Sequence, residues 1–507
     1  MSSVEAIVDV EKFSKWIELQ TRSSKECLNN QLQAWSSDPQ KLSSLSARFN
    51  RFKKEFDRDS KFFDKSKKLF SEIAECEMEI EQLTTTTSEL EKESYNEILF
   101  FKPVLQPLNF IPYLLTIWSV IRVYVLPGLS FLIPFITLIA PYIIIRFIFN
   151  RPISLERYVN ILQSITTGSI DKLTDPNSIT PVSPANLLKQ FGIFLFTFIQ
   201  GVIQPYWSYK HLKSIDNIIT DKGTLVIRFR DTYNKLHGLL GEHGFDFFKC
   251  PLPEIKSSRD ATAQAILRSS YFKLALKYVG SLEVIMCLAH KSDINAVCWV
   301  KSDKPVFRAK DTYDFQVENR KTITANFDNQ QHALLTGPNK GGKSTVLRAL
   351  SMSALLAHTY GCSLGNLTAT PFSKMFVCLK PDDLPGSKSR FEREIEFTAN
   401  TLKCDTPTLI FIDELYHSTN PPDALRSCEI YCKQLWNKAN IVSVISTHLF
   451  ELVENAEVNI QRLCCPATID EKGDIHFEYS LQNGICKVSS VDELLKRNGL
   501  MNQTECA

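Results

Sequence analysis

The stretch that decides the fold reads Gly337-Pro338-Asn339-Lys340-Gly341-Gly342-Lys343-Ser344, with Thr345 next. It satisfies the pattern G-x-x-x-x-G-K-[ST] and lies between a strand-like run, Ala333 to Leu335, and a helix-like run, Val346 to Leu356. In that context the small residues let backbone N–H groups turn onto a phosphate, and the helix N-terminus adds partial positive charge. We therefore predict a phosphate-binding loop over residues 337–345, in which Lys343 reaches the β and γ phosphates and Ser344 ligates magnesium.

Two further elements follow in the chain. The apolar run Thr408 to Ile412 ends in Asp413-Glu414, and the run Ile441 to Ile445 is followed by Thr447-His448. Asp413 is placed to hold the metal ion, and Glu414 is placed to polarise the attacking water. This order is typical of ABC-type ATPases. The predicted catalytic residues are therefore Lys343, Glu414 and His448, the predicted metal ligands are Ser344 and Asp413, and the predicted cofactors are ATP and Mg²⁺.

The wider pattern indicates the fold class. Beyond Asp293, short apolar runs alternate with helical patterns, whereas Ser208 to Ala289 shows helical spacing alone. Strands alternating with helices imply an α/β domain. The predicted fold is an α/β P-loop NTPase preceded by a mostly α-helical region with transmembrane helices.

The N-terminal part is charged and helical. Apolar residues follow alternating steps of four and three, which is a seam typical of coiled coils; they are Leu69, Ile73, Cys76, Ile80, Leu83 and Leu90. Pairing with another subunit and packing within the chain both explain it.

The composition then becomes apolar. Leu108 to Leu126 contains one charge, Arg122, and Leu129 to Phe149 contains only Arg146, with Pro127-Gly128 between the two runs. Each run is about as long as a helix that crosses a hydrocarbon core of ~30 Å, and Pro-Gly favours a turn. The favoured prediction is a membrane hairpin over about 108–149, with its exit on the nucleotide side.

A third uncharged run, Phe191 to Trp207, is another span or a buried helix. Because ATP is cytosolic and the first residues contain no secretory signal, an even number of crossings is expected. The alternative to the hairpin is one span near Val123 to Ile145 that pairs with the third run. A soluble fold that buries all three runs is the remaining possibility.

The overall composition does not indicate which kind of partner the protein binds. Lys and Arg number 58 against 56 Asp and Glu, so the net charge neither supports nor excludes a polyanion partner. The 14 cysteines show no zinc spacing, and they are expected to be buried free thiols.

The residues of these motifs resemble those of the ATPase domain of the MutS family. The string Thr336 to Thr345, with Leu347-Arg348, is similar to the family's phosphate loop, and Ser446 to Leu452 is similar to its histidine switch. The resemblance extends to the junction with the helical core and to the closing strand and helix, through Ser281 to Val284, Lys304 to Val306, Leu481 to Gly484 and Ser489-Ser490. The layout as a whole resembles that of membrane-embedded MutS relatives.

The resemblance implies a dimer, here a homodimer, with composite sites. Ser389, with Phe391 and Glu394, matches the family's Ser-x-Phe-x-x-Glu segment, so that Ser389 contacts the nucleotide in trans, and Asp423 lies on a loop between the two sites. The chain departs from the family in Tyr416 to Asn420, where the mismatch-repair members have a glycine-rich loop. The segment Thr322 to Phe327 also lacks the aromatic expected to stack on adenine, and the N-terminal part has no room for the mismatch-reading and connector domains.

These patterns divide the chain into an N-terminal helical region at 1–103, a membrane region at 104–207, a helical core or lever at 208–300, the ATPase domain at 301–495 and a tail at 496–507. The expected function is a multi-pass, membrane-anchored MutS-like ATPase, with its ATPase domain on the cytosolic side, that acts on DNA. The alternatives are an ABC-like transport or remodelling ATPase that does not act on DNA, and a scaffold that binds ATP but barely hydrolyses it.

Overall fold

The computed structural model describes residues 4–85, 88–167, 192, 195–196, 198–245, 252, 255–379, 389–470 and 475–488. The chain divides into two compact units. The first comprises Met1–Ala74, Glu242–Gly244 and Leu276–Ala507, and the second comprises Glu75–Gly241 and Phe245–Ala275. These units do not follow the predicted linear division at 103, 207 and 300, because the first N-terminal helices belong to the same unit as the C-terminal α/β region.

The secondary structure alternates long helices with short strands. The helices are α1 Val10–Trp16, α2 Arg22–Leu32, α3 Pro39–Arg58, α4 Ser60–Thr85, α5 Glu89–Tyr95, α6 Leu114–Val120, α7 Leu126–Ile143, α8 Leu155–Thr167, α9 Gln204–Glu242, α10 Ser258–Leu267, α11 Ser269–His290, α12 Lys343–Tyr360, α13 Arg390–Leu402, α14 Pro421–Trp436 and α15 Phe450–Glu454. The strands are β1 Ile294–Ala296, β2 Cys298–Trp299, β3 Phe307–Thr312, β4 Ile323–Asn326, β5 His332–Thr336, β6 Cys362–Leu364, β7 Asn366–Ala369, β8 Lys374–Cys378, β9 Thr408–Ile412, β10 Ile441–Ser446, β11 Gln461–Cys464, β12 Ala467–Ile469, β13 Ile475–Phe477 and β14 Gln482–Asn483. Short 3₁₀ turns cover Val4–Ala6 and Gln106–Phe110, and π-helical turns cover Ile121–Val125, Ile144–Ile148 and Ile199–Ile203.

A six-stranded sheet in the order β14-β11-β5-β10-β9-β8 forms the centre of the first unit. All neighbouring pairs are parallel except β11 with β14. Strands β5, β9 and β10 are buried at every position, as expected of parallel strands that are covered on both faces. The predicted strands at Thr408–Ile412 and near Ile441 are confirmed. The carboxyl ends of β5, β9 and β10 meet at one edge, which is where α/β sheets bind ligands.

Helix α12 begins directly after β5 and runs through the interior. From Leu347 to Tyr360 it is buried almost throughout, between the strands and helices α2 and α3. The N-terminal helices are held to this core by polar contacts as well: Trp35 Nε1 donates to the Phe372 carbonyl at 3.0 Å, and Ser46 Oγ donates to the Gly361 carbonyl at 2.8 Å. The first unit is therefore one body built from both ends of the chain.

The N-terminal seam lies on α4. Its residues Ile73, Cys76, Ile80 and Leu83 are buried within the chain, so packing in its own chain is the alternative that the structure shows. The stripe is interrupted after Thr85, and Leu90 belongs to the next helix.

The predicted turn at Pro127-Gly128 is wrong. The chain is helical without interruption from Leu114 to Ile148, through α6, the first π-helical turn, α7 and the second π-helical turn. Proline is tolerated here because it stands in the first turn of α7, after the π-helical turn has already changed the hydrogen-bond pattern. Within the described residues, one helix, Leu114–Leu132, is long and apolar enough to cross a membrane, and 22% of it is buried.

The third apolar run is described only in part. Its described end, Phe198 to Trp207, enters the π-helical turn Ile199–Ile203 and continues directly into α9. The turn packs against α7 within the second unit. The structure therefore brings the third run beside the helix at 126–143, as in the alternative to the hairpin.

Candidate nucleotide-binding site

The loop at 337–342 takes the backbone shape that its residues predict. Gly337 has φ +146° and Gly342 has φ +101°, conformations in which a side chain is strained. A Cβ at Gly337 would also lie 2.9 Å from the Cys465 carbonyl oxygen. The loop joins β5 to α12, so that the N-terminus of an 18-residue helix points into it. Backbone N–H groups and a helix terminus thus converge on one spot, as an anion requires.

Lys343 lies inside the loop, and its side chain is buried. Nζ donates to the carbonyls of Gly337 at 2.9 Å and Pro338 at 3.2 Å. Burial lowers the pKa of Lys343, and the carboxylates of Glu414 and Asp413 oppose this shift. Lys340, in contrast, has an exposed side chain. Its backbone, at φ +67°, is part of the turn that shapes the loop. Asn339 is exposed as well, whereas Pro338 and Gly341 are buried and Thr345 is half-buried in the first turn of the helix.

The predicted metal ligands are in contact. Ser344 Oγ donates to Asp413 Oδ2 at 2.5 Å, across the edge between β5 and β9. Ser446, the last residue of β10, donates to the other carboxylate oxygen of Asp413. A hydroxyl and a carboxylate beside a phosphate loop are the oxygen donors that Mg²⁺ prefers, so these residues fit that ion.

Glu414 and His448 form the other side of the site. His448 Nε2 lies 3.2 Å from Glu414 Oε1 and 3.1 Å from Lys343 Nζ. One nitrogen cannot donate to the carboxylate and accept from the ammonium in a single tautomer, so these two contacts are alternatives. The hydrogen bond with His448 lowers the pKa of Glu414 despite partial burial, which keeps the carboxylate ionised. The backbone of Glu414 has φ +53°, a strained conformation that turns the side chain out of the strand direction.

A cleft of about 700 Å³ opens beside the loop, a size typical of small-molecule sites. Its outer walls are lined by Tyr313, Val317, Asn319, Lys321, Ile323 and Tyr479. Tyr479 comes from the segment after β13, and its ring lies 3.6 Å from the position of a Cβ on Gly342. The adenine-stacking aromatic was expected in 322–327, where Phe327 is fully buried; Tyr479 was not predicted, because only the fold brings it to the loop.

Ser389 and Asp423 lie at helix N-termini. Ser389 caps α13 in a capping box with Glu392, and Asp423 is held by Asn420, the cap of α14. Both have local structural partners in the single chain. Their roles toward a second subunit stay predictions.

The loop that departs from the family is tied to α13. Tyr416 is buried and shares a hydrogen bond of 2.5 Å with Thr398, and Ser418 donates to Glu394 at 2.9 Å. His417 lies 2.7 Å from an Arg390 nitrogen. The helix that begins at Ser389 is thus joined directly to the segment that follows Glu414.

This fold and site define a class: an α/β nucleotide-binding domain with a P-loop between the central strand and its helix. Residues 333–497 match the family model for MutS domain V, a match that includes the phosphate loop, Asp413, Glu414 and His448. The C-terminal part of the chain is therefore an ATPase domain of the MutS family.

Proposed function

We propose that the chain binds ATP with Mg²⁺ in the 700 Å³ cleft and hydrolyses it. The observation that carries the proposal is the convergence of Lys343, Asp413, Glu414 and His448 at one edge of the sheet. The match to an ATPase family supports it independently. Mg²⁺ would neutralise developing charge on the phosphates, held on the protein side by Ser344 and Asp413.

Each side chain has a defined task in this proposal. The loop N–H groups and Lys343 bind the phosphates. Glu414, an ionised carboxylate whose pKa the hydrogen bond with His448 lowers further, accepts a proton from the attacking water, and His448 orients that carboxylate. Tyr479 stacks on the base at the open end of the cleft, whereas Phe327, the aromatic of 322–327, is fully buried.

Substitution Glu414→Gln tests the hydrolysis step. The amide keeps the size of the side chain but removes the base, so turnover should fall about 10²–10⁴-fold while ATP binding persists. The measurements are phosphate release and ATP affinity of full-length, detergent-solubilised protein. Asp405→Asn, which neutralises an exposed carboxylate of the same domain, is the matched control and should leave both unchanged. Equal turnover in Glu414→Gln and wild type would show that this residue is not the base.

We further propose that ATP closes two copies of this domain against each other, with Ser389 reaching the nucleotide of the partner. Members of the MutS family act as dimers that bind ATP and DNA, which supports this step. The Glu414→Gln protein should therefore form dimers in ATP and monomers without it, as measured by mass photometry. A monomer under both conditions would contradict the proposal.

We propose, more specifically, that the protein is a membrane-anchored ATPase that acts on DNA. It would be related to mismatch-repair proteins but lack a mismatch-reading domain. The continuous apolar helical stretch that begins with Leu114–Leu132 and extends to Ile148 supports the membrane anchor, and the family supports the DNA. Binding to duplex, branched or single-stranded DNA should weaken steeply with salt. If no DNA form is retained at low salt, the alternative of an ABC-like transport or remodelling ATPase takes its place, and ATP turnover should then respond to liposomes rather than DNA.

A further inference from the structure

The second unit exposes apolar side chains along two helical stretches. Large side chains at least 43% exposed occupy 125–149 and 195–199; they are Val125, Leu129, Phe131, Leu132, Ile136, Ile139, Ile143, Phe147, Ile148, Phe149, Leu195, Phe196, Phe198 and Ile199. Soluble proteins rarely expose an apolar surface that is continuous over so many residues. Its shape, two neighbouring helices apolar on their outer faces, fits the hydrocarbon core of a bilayer.

Charged pairs mark where this surface begins. Arg122 forms an ion pair with Glu97, and Arg259 forms a bidentate pair with Asp216 at 2.7 Å for both bonds. Ser119 donates to the same Asp216. Such pairs are expensive in hydrocarbon, so the level of Ser119 to Arg122 lies outside the core.

Aromatic and basic side chains surround this same level. The rings of Tyr124 and Tyr209 lie 5.8 Å apart, and the exposed Trp207 is covered by the Lys210 ammonium at 5.5 Å. Lys213 donates to Tyr209 at 3.0 Å. Tyrosine and tryptophan with nearby lysines are the residues enriched where membrane meets water. We name these residues, with Arg122, the near ring.

A second group of the same chemistry lies at the other end of the helix. Arg146 lies 5.7 Å from the centre of the Tyr142 ring, and Tyr142 lies 5.4 Å from Tyr158. From Tyr124 to Tyr142 a helix rises about 27 Å at 1.5 Å per residue, which matches a hydrocarbon core of ~30 Å. This far ring therefore marks the opposite membrane surface.

A second apolar stretch, helical over the described residues from Phe198 onward, belongs to the same layer. No charged residue occurs from Phe191 to Tyr209, and the turn Ile199–Ile203 packs on α7. Gly201 is buried at this contact, as is typical where membrane helices approach closely. α9, which begins at Gln204, reaches the near ring at Tyr209, and beyond that residue its sequence is charged again.

We infer that the chain crosses a bilayer twice, between Tyr124 and Arg146 and again along the apolar stretch that reaches Tyr209 within α9, so that α8 lies on the side of the membrane opposite the ATPase domain. The inference rests on the membrane anchor proposed above, and it adds the crossings, their limits and the topology. It reverses the prediction that the stretch 129–149 exits on the nucleotide side, because Arg146 at its end belongs to the far side.

A glycosylation assay in endoplasmic-reticulum microsomes tests the topology. An acceptor sequence with flexible Gly/Ser spacers is inserted after Ile153, in the segment before α8, and in a second protein after Lys301, in the exposed segment before β3. The first insertion should gain a glycan that endoglycosidase H removes, and the second should gain none. The native Asn366-Leu367-Thr368 sequence should also stay unmodified, since it lies in the ATPase unit.

Alkaline carbonate extraction of the unmodified protein separates the two proposals. If the chain is extracted from the microsomes, the membrane anchor itself is overturned, and the topology with it. If the chain is retained but the insertion after Ile153 stays unglycosylated, or if the one after Lys301 is glycosylated, the anchor stands and the two-crossing topology is overturned.

Discussion

Two glycines, Gly342 in the phosphate loop and Gly128 in the long helix of the second unit, stand in opposite surroundings. Gly342 has φ +101° and lies against the Tyr479 ring, and it ends the loop that joins β5 to α12. Gly128 has helical neighbours on both sides, and a Cβ added to it would meet nothing within 4 Å. The first glycine is required by backbone shape and close approach. The second is simply a small residue on a helix.

The difference between the two glycines shows under which conditions a short sequence motif determines the backbone conformation. In the phosphate loop, each residue type answers a demand that only one conformation meets, namely N–H groups pointing inward, a buried lysine and a helix start. At Pro127-Gly128 the dipeptide favours a turn, but the apolar residues on both sides favour a continuous helix, and packing against the turn at Ile199–Ile203 supports that helix. Substitutions at matched positions in the two regions test this reading.

The largest effect is expected from Lys343→Met. This change removes the buried ammonium that the loop carbonyls hold, so ATP affinity should collapse and turnover should fall on the order of 10³-fold. Lys340→Met alters an exposed side chain in the same loop and should change both by less than about 2-fold. Phosphate release and nucleotide calorimetry measure the pair. Equal losses in both variants would mean that the loop acts through overall charge rather than through the position of Lys343.

The next largest effect concerns stability and uses two glycines of the second unit. A Cβ on Gly223, in α9, would lie 1.7 Å from the Ser258 carbonyl oxygen, so Gly223→Ala should destabilise the protein by about 3 kcal/mol or more. Gly128→Ala should change stability by less than about 1 kcal/mol, because alanine fits an open helical position. Thermal unfolding in detergent compares them. Strong destabilisation by Gly128→Ala would contradict the helical conformation at Gly128 and would favour a turn at Pro127-Gly128 instead.

The contrast also separates what the sequence predicts from what it does not. The strands before the loop, Asp413 and His448, the contact of Ser344 with Asp413 and the approach of Glu414 to His448 agree with what the motifs predict. Tyr479 was not predictable, because its approach depends on how the chain returns after β13 rather than on neighbouring residues. The sequence does not show which surfaces the N-terminal helices contact, because partners such as Phe372 and Gly361 lie more than 300 residues away.

Tyr479 sharpens the nucleotide side of the comparison. Removal of the ring in Tyr479→Ala should raise the Kd for ATP about 10-fold, or about 1.4 kcal/mol, the usual range for a base stacked on an aromatic side chain. Tyr479→Phe keeps the ring and should stay within about 2-fold of wild type. Competition with a fluorescent ATP analogue measures both. Equal weakening by the two substitutions would assign the effect to the hydroxyl and remove the stacking role.

The smallest expected effect is a pH dependence of stability carried by His358. Burial lowers the pKa of this histidine to about 4, between the stacked Trp35 ring at 3.9 Å and the Ser36 carbonyl. In the unfolded chain a histidine takes up its proton near pH 6.5. The unfolded state therefore gains protons first, and stability is present above about pH 6.5 and is lost as the pH falls toward 4. At about pH 5.5 the loss should be on the order of 1 kcal/mol.

Substitution His358→Gln tests this prediction. Because glutamine does not titrate, the decrease in Tm between about pH 7.5 and 5.5 should be smaller in the variant than in wild type, although the variant is less stable at neutral pH. Identical decreases in Tm would mean that other groups carry the acid sensitivity of the first unit.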